Sequence, residues 1–368
     1  MSAALPVMDV TGRVHRLRES LGEAGCEALV ITTLANIRYF TGFTGSAGLL
    51  LVLADEMVLC TDGRYKSQSA EQLAAAGVEA RIEIGRLTEQ QEAMSAAAKG
   101  LGRIGLEAGN VTWARQRAFA ADWFSGAELV ATDGVVEELR RVKDAGEVAR
   151  VREAARIADV ALAAESSGLA GGMTEAEFAM ALDFAMRDLG AEGSSFETIV
   201  ASGPNGAKPH ARPSDRRIEP GELVVVDFGA VVDGYCSDMT RTLCVDAPAT
   251  PTLARMVEVV GRAQRAGVAA VRAGRPAAEV DAACREVIAD AGWADAFLHS
   301  TGHGVGLDIH EAPTVSATSG DTLAAGNVVT VEPGVYLPEH GGVRIEDTLV
   351  VTETGSQTLT NAPKDLVI

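Results

Sequence analysis

The sequence predicts two domains, an α/β domain at the N-terminus followed by a larger α+β domain. At 368 residues the chain exceeds the length at which a single hydrophobic core usually stops growing. In its first part, short apolar runs alternate with helical patterns. From about Leu139, long helices and closely spaced strands replace that alternation. We therefore expect the domains to span residues 1–138 and 139–368.

The first domain is expected to contain short buried strands separated by helices. Apolar runs bounded by turn residues predict strands at Ala28–Thr32, Leu49–Leu53, Met57–Cys60 and Leu129–Ala131. Apolar residues at helical spacing predict helices over residues 12–25, 64–76, 87–100 and 111–122. An alternation of this kind is typical of an α/β domain.

The second domain combines long helices with strands joined by turns. Helical spacing predicts helices over residues 146–168, 252–272 and 277–291. A further helix should begin near Thr174, which has capping-box spacing to Glu177. Strands are predicted at Leu223–Ala230, Tyr235–Val245, Val328–Val331 and Arg344–Thr352. Because turns join these strands, we expect hairpins rather than βαβ units and hence an α+β domain.

Composition and charge exclude several functional classes. The formal net charge of −19 would repel phosphate backbones, which argues against nucleic-acid binding. No basic segment precedes an apolar core at the N-terminus, and apolar runs are shorter than the ~20 residues of a membrane span. The five cysteines lack CxxC spacing, which indicates buried thiols in a reducing compartment; they are Cys26, Cys60, Cys236, Cys244 and Cys284. We therefore expect a cytoplasmic protein.

An acidic hairpin supplies the first candidate site residues. Asp233-Gly234 is a strong two-residue turn signal, and a turn there places Asp227 opposite Thr240. Asp238 then lies diagonal to Asp227, at the ~7–8 Å backbone separation of diagonal neighbours. Alternatively, Asp227 begins a turn and Asp238 faces solvent. Since two buried like charges cost several kcal/mol unless cations neutralise them, the hairpin favours a metal site.

Three of the six histidines fall within one glycine-rich segment. His299, His303 and His310 lie in HSTGHGVGLDIHE, and glycines occupy positions 302, 304 and 306. Glycines leave the backbone uncrowded, as expected where a ligand or metal ion approaches closely. A lone histidine is usually structural, but three crowded among glycines indicate a functional site.

Two glutamates complete the candidate metal-ligand set. Glu332 ends an apolar strand before Pro333-Gly334, and Glu346 lies within a Val/Ile-rich strand, where glutamate is rare. An edge strand with outward-facing acids would suit Asp347 better than Glu346. Together with the hairpin acids and His303 these residues give four carboxylates and one imidazole. Two divalent ions would balance that charge, and the oxygen-rich set suits Mn²⁺, Co²⁺ or Zn²⁺.

These motifs resemble those of the pita-bread metallopeptidases, which include aminopeptidase P, prolidase and methionine aminopeptidase. The similar stretches are, in family order, ASGPNGAKPHARP, VVDFGAVVDGYCSDMTRTLCV, HSTGHGVGLDIHE, TVEPGVYLP and GGVRIEDTLVV. NIRYFTGFTGSAGLLLV and CTDGRYKSQS are similar to the creatinase-like domain of the proline-specific branch. The resemblance implies a pita-bread catalytic domain preceded by a smaller α/β creatinase-like domain.

The resemblance also assigns a role to each metal-ligand candidate. It implies two divalent metal ions per subunit. Asp227 would ligate one ion, His303 and Glu332 the other, and Asp238 and Glu346 would bridge the two. Glu332 matches the glutamate that shuttles a proton during hydrolysis.

Other polar residues of these motifs match groups that act on the substrate. His210, His299 and His310 match histidines that orient the substrate and stabilise the tetrahedral intermediate. Arg344 matches an arginine near the floor of the active site. His15 and His340 have no counterpart in the family motifs and are expected to be structural.

The proline-specific branch contains two activities that differ in peptide length. Aminopeptidases P release the N-terminal residue from peptides with proline in second position, and prolidases split the dipeptide alone. Many prolidases place an arginine four residues after the distal histidine, whereas this chain has Thr314. A carboxylate buried without a cation is costly. The sequence therefore favours a Xaa-Pro aminopeptidase, with a Xaa-Pro dipeptidase as the alternative.

Three further functions fit the resemblance less well. Creatinase-type amidinohydrolases lack the metal-ligand set, and a catalytically inactive binding module of this fold would be expected to have lost its ligands. Methionine aminopeptidases usually lack the creatinase-like half. Because the family commonly dimerises, we expect a homodimer that acts on peptides.

Overall fold

The computed structural model describes residues 5–364 and 366–368. The described residues form two compact units, one of Met8–Arg140 and a larger one of Arg141–Ile368 together with residues 5–7. Among the described residues, no helix is both long and apolar enough to cross a membrane. All five cysteines are buried, as the sequence predicts.

The smaller unit is built on a six-stranded mixed sheet. Its strands are β1 (Ala28–Ile31), β2 (Leu49–Val52), β3 (Met57–Thr61), β4 (Arg81–Ile84), β5 (Arg103–Glu107) and β6 (Glu128–Thr132), in the spatial order β4-β3-β2-β1-β5-β6. Its helices are α1 (Val10–Leu21), α2 (Leu34–Thr41), α3 (Lys66–Ala75), α4 (Leu87–Ala97), α5 (Trp113–Ala118) and α6 (Val135–Arg140). The predicted α/β class is confirmed.

The ends of the first helix differ from the prediction for local reasons. The side chain of Asp9 accepts a hydrogen bond from the Gly12 N–H, so α1 begins at Val10 rather than at residue 12. The helix ends at Leu21, and the chain turns at Gly25, which has φ of +72°. Only glycine adopts that backbone conformation without strain.

The larger unit contains four helices and fourteen strands among its described residues. The helices are α7 (Ala145–Glu165), α8 (Glu175–Asp188), α9 (Pro251–Ala270) and α10 (Ala277–Asp290). The strands are β7 (Gly193–Ser194), β8 (Ile199–Ser202), β9 (Leu223–Phe228), β10 (Ala230–Val232), β11 (Tyr235–Cys236), β12 (Met239–Cys244), β13 (Gly302–Gly304), β14 (Glu311–Val315), β15 (Val328–Val331), β16 (Gly334–Leu337), β17 (Gly341–Arg344), β18 (Asp347–Val351), β19 (Ser356–Thr358) and β20 (Leu366–Val367).

Each of the two largest sheets of this unit packs against one pair of helices. The four-stranded sheet β20-β12-β9-β8 shares a core with α7 and α8, through residues such as Ile157, Phe178 and Val226. The five-stranded sheet β14-β13-β15-β18-β19 packs against α9 and α10 through residues such as Met256 and Val280. Hairpins and helix pairs of this kind define an α+β unit, as predicted.

The predicted capping box at the start of α8 is present. Thr174 accepts a hydrogen bond from the Glu177 N–H at 3.1 Å, and Glu177 accepts one from the Thr174 N–H at 2.8 Å. The helix therefore begins at Glu175 because two of its unpaired N-terminal groups are satisfied reciprocally.

The predicted hairpin turn and its register are both confirmed. Asp233 and Gly234 join β10 to β11 with φ angles of 46° and 73°, the left-handed values that a two-residue hairpin requires. Asp227 pairs directly with Thr240. The two predicted arms are interrupted at Gly229 and again before Met239, so Asp238 lies immediately outside β12.

The predicted strand Arg344–Thr352 is also interrupted. Arg344 ends β17, which pairs with β16, and Asp347 begins β18, which pairs with β15. Glu346 lies at this change of sheet, and its N–H donates to the Thr240 carbonyl oxygen at 3.1 Å. Glu346 therefore lies between two strands rather than inside one, which agrees with the rarity of glutamate in strands.

The expectation that Asp347 faces outward from an edge strand is wrong. Asp347 is buried in β18, which has a neighbouring strand on each side. Its carboxylate is 3.0 Å from Arg241 Nη2 and 2.8 Å from Lys364 Nζ, and it accepts a hydrogen bond from Gln264. A buried charge is tolerated when it is paired and hydrogen-bonded in this way.

We expect Arg241→Met to lower the free energy of unfolding by about 3–5 kcal/mol, because it removes the buried partner of a buried carboxylate. Urea unfolding followed by circular dichroism would measure the loss. Arg156→Met is a suitable control, since Arg156 pairs with Glu153 at the surface and such pairs contribute at most about 1 kcal/mol. A similar small effect for both variants would mean that Lys364 alone neutralises Asp347.

Candidate active site

Three acids from separate elements meet in the larger unit. One carboxylate oxygen each of Asp227, Asp238 and Glu346 lies within 4.8 Å of the others. Asp227 is carried by β9, Asp238 precedes β12, and Glu346 joins β17 to β18. The paired register of β9 and β12 brings the first two together, and the contact of Glu346 with Thr240 adds the third.

His303 and Glu332 extend this acidic cluster. His303 Nε2 lies 3.5 Å from Asp238 Oδ2 and 3.3 Å from Glu332 Oε1. The other ring nitrogen, Nδ1, is 3.0 Å from the Gly304 carbonyl oxygen. Because a carbonyl oxygen only accepts hydrogen bonds, Nδ1 carries the proton and Nε2 presents its lone pair to the carboxylates when the ring is neutral. That tautomer is the one a metal ligand needs.

Burial and like charges dominate the electrostatics of the cluster. Burial, and then the neighbouring carboxylates, raise the pKa of Asp238 and of Glu346 well above the usual range. Burial also opposes ionisation of Glu332, but the hydrogen bond and positive charge of His303 in its protonated form outweigh it and lower the pKa of Glu332 to about 2.

Two oxygens of the cluster are buried without a hydrogen-bond partner. They are Asp227 Oδ1 and Glu346 Oε1. Unpaired buried polar atoms are costly and rare in native proteins. Oxygen donors this close together, with one imidazole lone pair beside them, match the ligand preferences of Mn²⁺, Co²⁺ and Zn²⁺. The residues present therefore fit a divalent metal centre.

Arg344 lies beneath the acids and links them to an aromatic residue. Its Nη2 is 2.5 Å from Asp227 Oδ2, and its Nε donates to Thr240 at 3.1 Å. Nη1 donates to the hydroxyl of Tyr336 at 2.8 Å. That hydroxyl is also 2.8 Å from His299 Nε2. Arg344 is 3 % exposed, so its donors are committed to this network.

The acids open onto a cavity of about 700 Å³. Every residue that the sequence predicts for the site lines this cavity, namely Asp227, Asp238, His303, Glu332, Glu346, His210, His299, His310 and Arg344. Thr314 lines it as well. His15 and His340 are outside the lining. The structure thus assembles in one place the residues that five separate motifs supply.

The three additional histidines differ in their surroundings. His310 is exposed and stacks edge-to-face on His303, with ring centroids 4.4 Å apart. Partial burial and the nearby His303 lower the pKa of His310. His299 contacts the Ser300 carbonyl oxygen through Nδ1 and Tyr336 through Nε2, and burial lowers its pKa. His210 is exposed, like His310.

The glycines around His303 are present for a reason other than the predicted one. A Cβ at Gly302 would lie 2.1 Å from the Thr330 carbonyl oxygen, and a Cβ at Gly304 would lie 2.3 Å from that of Ala312. The space beside the backbone is therefore filled by neighbouring strands rather than left for a ligand. These glycines allow β13 to pack between β14 and β15.

Sequence reasoning missed Thr240 and Tyr336 as members of the site. The Thr240 hydroxyl donates to Glu346 Oε2 at 2.7 Å and accepts from Arg344. Tyr336 lies between Arg344 and His299. The hairpin register places Thr240 opposite Asp227, which was a usable signal. Tyr336 has no local signal, because Arg344 is brought to it by the pairing of β16 with β17 and His299 lies 37 residues earlier in the sequence.

A cluster of carboxylates and an imidazole that could hold a metal ion, at the floor of a cavity, is typical of a metal-dependent hydrolase. The chain belongs to metallopeptidase family M24, which it matches over residues 149–353. Residues 13–142 match the creatinase/prolidase N-terminal domain. The predicted family and the predicted fold class are therefore confirmed.

Similar proteins cover at least 95% of the chain. A solved Xaa-Pro dipeptidase from Bacillus anthracis is 39% identical with a TM-score of 0.93, over 98% of this chain and 99% of that one. The Xaa-Pro dipeptidase of Pyrococcus furiosus is 35% identical, over 96% of this chain and 99% of its own length. A solved X-Pro aminopeptidase from Thermotoga maritima is 32% identical with a TM-score of 0.87, over 95% of this chain and 99% of that one.

We expect Asp238→Asn to abolish activity and to reduce bound metal, because a neutral amide is a weaker ligand for a divalent cation than a carboxylate and leaves the cluster short of negative charge. Elemental analysis of the purified variant, together with a peptidase assay, would measure both effects. Asp290→Asn, at an exposed position at the end of α10, is the matched control. Near-normal activity with a full metal content in the Asp238 variant would contradict the ligand assignment.

Proposed function

We propose that this chain is a metal-dependent peptidase that hydrolyses the bond between an N-terminal residue and proline, and that its preferred substrates are Xaa-Pro dipeptides. The observation that carries the proposal is the meeting of four carboxylates and one imidazole at the floor of a cavity. Xaa-Pro specificity is supported by the names of the relatives, which are Xaa-Pro dipeptidases and an X-Pro aminopeptidase.

The proposed metal ligands are Asp227, Asp238, His303, Glu332 and Glu346. They would hold two divalent ions per subunit, with Mn²⁺, Co²⁺ and Zn²⁺ as the candidates. Such ions supply Lewis-acid polarisation of the scissile carbonyl group and lower the pKa of the attacking water. The proposal accounts for the unpaired oxygens of Asp227 and Glu346, which then gain a partner.

The protein's own groups would manage the proton and orient the peptide. Glu332 Oε1 is held by the Thr330 hydroxyl, so Oε2 is the oxygen that takes a proton from water and returns it to the proline nitrogen. His310 and His210 are exposed to the cavity and can donate hydrogen bonds to the developing oxyanion. The network of Arg344, Tyr336 and His299 would hold Asp227 in place.

Recognition of proline rests on its covalent structure. Proline makes the scissile bond a tertiary amide without an N–H, and its ring restricts the preceding residue to extended conformations. Phe196, Ile199 and Ile309 give the cavity an apolar wall on which such a ring can pack. The acids near the metal centre would hold the N-terminal amine of the substrate.

The proposed preference for dipeptides differs from the Xaa-Pro aminopeptidase function that the sequence favours on the basis of Thr314. Two of the three relatives described above are Xaa-Pro dipeptidases, and the more similar of the two solved structures is one of them. The aminopeptidase remains the second candidate. It is favoured by Thr314, which lines the cavity without a positive charge, and by the Thermotoga maritima structure. A cytoplasmic location and a homodimer, both expected from the sequence, belong to the same proposal.

We expect Ala-Pro to be hydrolysed with a kcat/KM at least tenfold above that of Ala-Pro-Ala, a difference of about 1.4 kcal/mol. Ala-Ala should be a poor substrate, because the methyl side chain of its second residue is too small to fill a site shaped for the proline ring. Steady-state assays with each divalent metal, and with a chelator as control, would measure these ratios. Equal or faster cleavage of Ala-Pro-Ala would restore the aminopeptidase as the function.

We expect the two histidines that touch each other to respond differently to removal. His310→Ala should lower kcat by about 10²-fold, as loss of an oxyanion donor does, while metal content stays close to that of the unmodified protein. His303→Ala should instead lose metal. Elemental analysis combined with kinetics separates the two effects, and equal metal content in both variants would contradict the assigned roles.

A further inference from the structure

Arg212 is a positively charged residue in the cavity wall that the metal centre does not use. Two guanidinium groups line the cavity among the described residues, those of Arg344 and Arg212, and no lysine does. Arg344 is buried, and its three nitrogens already contact Asp227, Thr240 and Tyr336. Arg212 is therefore the cation that is available to an anionic ligand in this cavity.

The side chain of Arg212 is held only weakly. Its Nη2 lies 3.3 Å from Glu197 Oε2, and the two side chains are 82% and 66% exposed. An exposed ion pair of this kind contributes little to stability. Arg212 can therefore exchange Glu197 for another carboxylate at small cost.

The backbone that carries Arg212 is fixed with respect to the acidic cluster. Pro209 and Pro213 have fixed φ angles, and Pro213 also restricts Arg212, the residue before it. The Pro209 carbonyl oxygen accepts a hydrogen bond from Arg344 Nη1 at 3.2 Å. Residues 209–213 all line the cavity, so the segment runs along its wall from Arg344 to Arg212.

We propose that Arg212 binds the C-terminal carboxylate of the dipeptide substrate. The inference rests on the proposed function, since a dipeptide carries a carboxylate on the residue next to the scissile bond. One residue spans at most about 3.6 Å, so this negative charge must lie inside or at the mouth of the cavity. A guanidinium group binds a carboxylate through two parallel hydrogen bonds. Arg212 thus provides the cation that Thr314 does not.

The test compares Arg212→Met with the unmodified enzyme on substrates that have or lack the carboxylate. For Ala-Pro, we expect kcat/KM to fall by about 10- to 100-fold, mainly through KM, as expected for the loss of a charge-assisted hydrogen bond. For Ala-Pro-amide, kcat/KM should change by less than about threefold. Metal content should stay unchanged. The kcat/KM of Arg212→Lys for Ala-Pro should lie between those of the unmodified enzyme and of Arg212→Met, because lysine keeps the charge but loses the paired geometry.

Two further variants control for general effects. Arg217 is an exposed arginine outside the cavity lining, and it donates a hydrogen bond to the Gly172 carbonyl oxygen. Arg217→Met should leave the ratio of kcat/KM for Ala-Pro to kcat/KM for Ala-Pro-amide unchanged. Glu197→Gln removes the competing carboxylate, so it should lower KM for Ala-Pro by up to about fivefold. A rise in KM for the Glu197 variant, or the same ratio in the Arg212 and Arg217 variants, would overturn the proposal.

A separate measurement distinguishes failure of this inference from failure of the proposed function. Competitive inhibition by L-proline and by L-prolinamide can be measured with any peptide that the enzyme cleaves. Arg212→Met should weaken inhibition by proline at least tenfold and leave inhibition by prolinamide unchanged. Equal inhibition of the unmodified enzyme by the two compounds would overturn the role of Arg212. A preference for Ala-Pro-Ala over Ala-Pro would overturn only the dipeptidase function.

Discussion

The free-energy cost of bringing three largely buried carboxylates together is the constraint on which the larger unit depends. Asp227, Asp238 and Glu346 come within 4.8 Å of one another, and their mutual repulsion favours separation. The fold holds them together by hydrogen bonds from Thr240 and Arg344, and by strand pairing that fixes the register. Most features near the cavity follow from this constraint, including the buried arginine and the orientation of His303.

Two neighbouring acids show how the fold separates a structural charge from a functional one. Asp347 follows Glu346 directly in the sequence, but the two carboxylates have different partners. Asp347 is neutralised by Arg241 and Lys364, so its charge is balanced within the protein. Glu346 Oε2 accepts a hydrogen bond from the Thr240 hydroxyl, and Glu346 Oε1 has no hydrogen-bond partner. Only the latter has capacity left for a cation.

Much of the site could be predicted from sequence because local signals fix it. The Asp233-Gly234 turn determines the register that pairs Asp227 with Thr240, and the clustered histidines mark the segment around His303. Long-range contacts could not be predicted. The position of Tyr336 depends on Arg344 and His299 reaching it from other elements, and the burial of Asp347 depends on Arg241. The glycines beside His303 were noticed, but their role in strand packing follows only from neighbours distant in sequence.

The order of the acids along the chain has a consequence for biosynthesis. Thr240 and Glu346, which contact each other, are 106 residues apart. During synthesis the hairpin that carries Asp227 and Asp238 emerges first, and it can close its turn without the rest of the unit. Long-range pairings of this kind form late. The nascent chain thus exposes half of an acidic cluster to solvent, and the complete set of oxygen donors exists only once the final strands have been made.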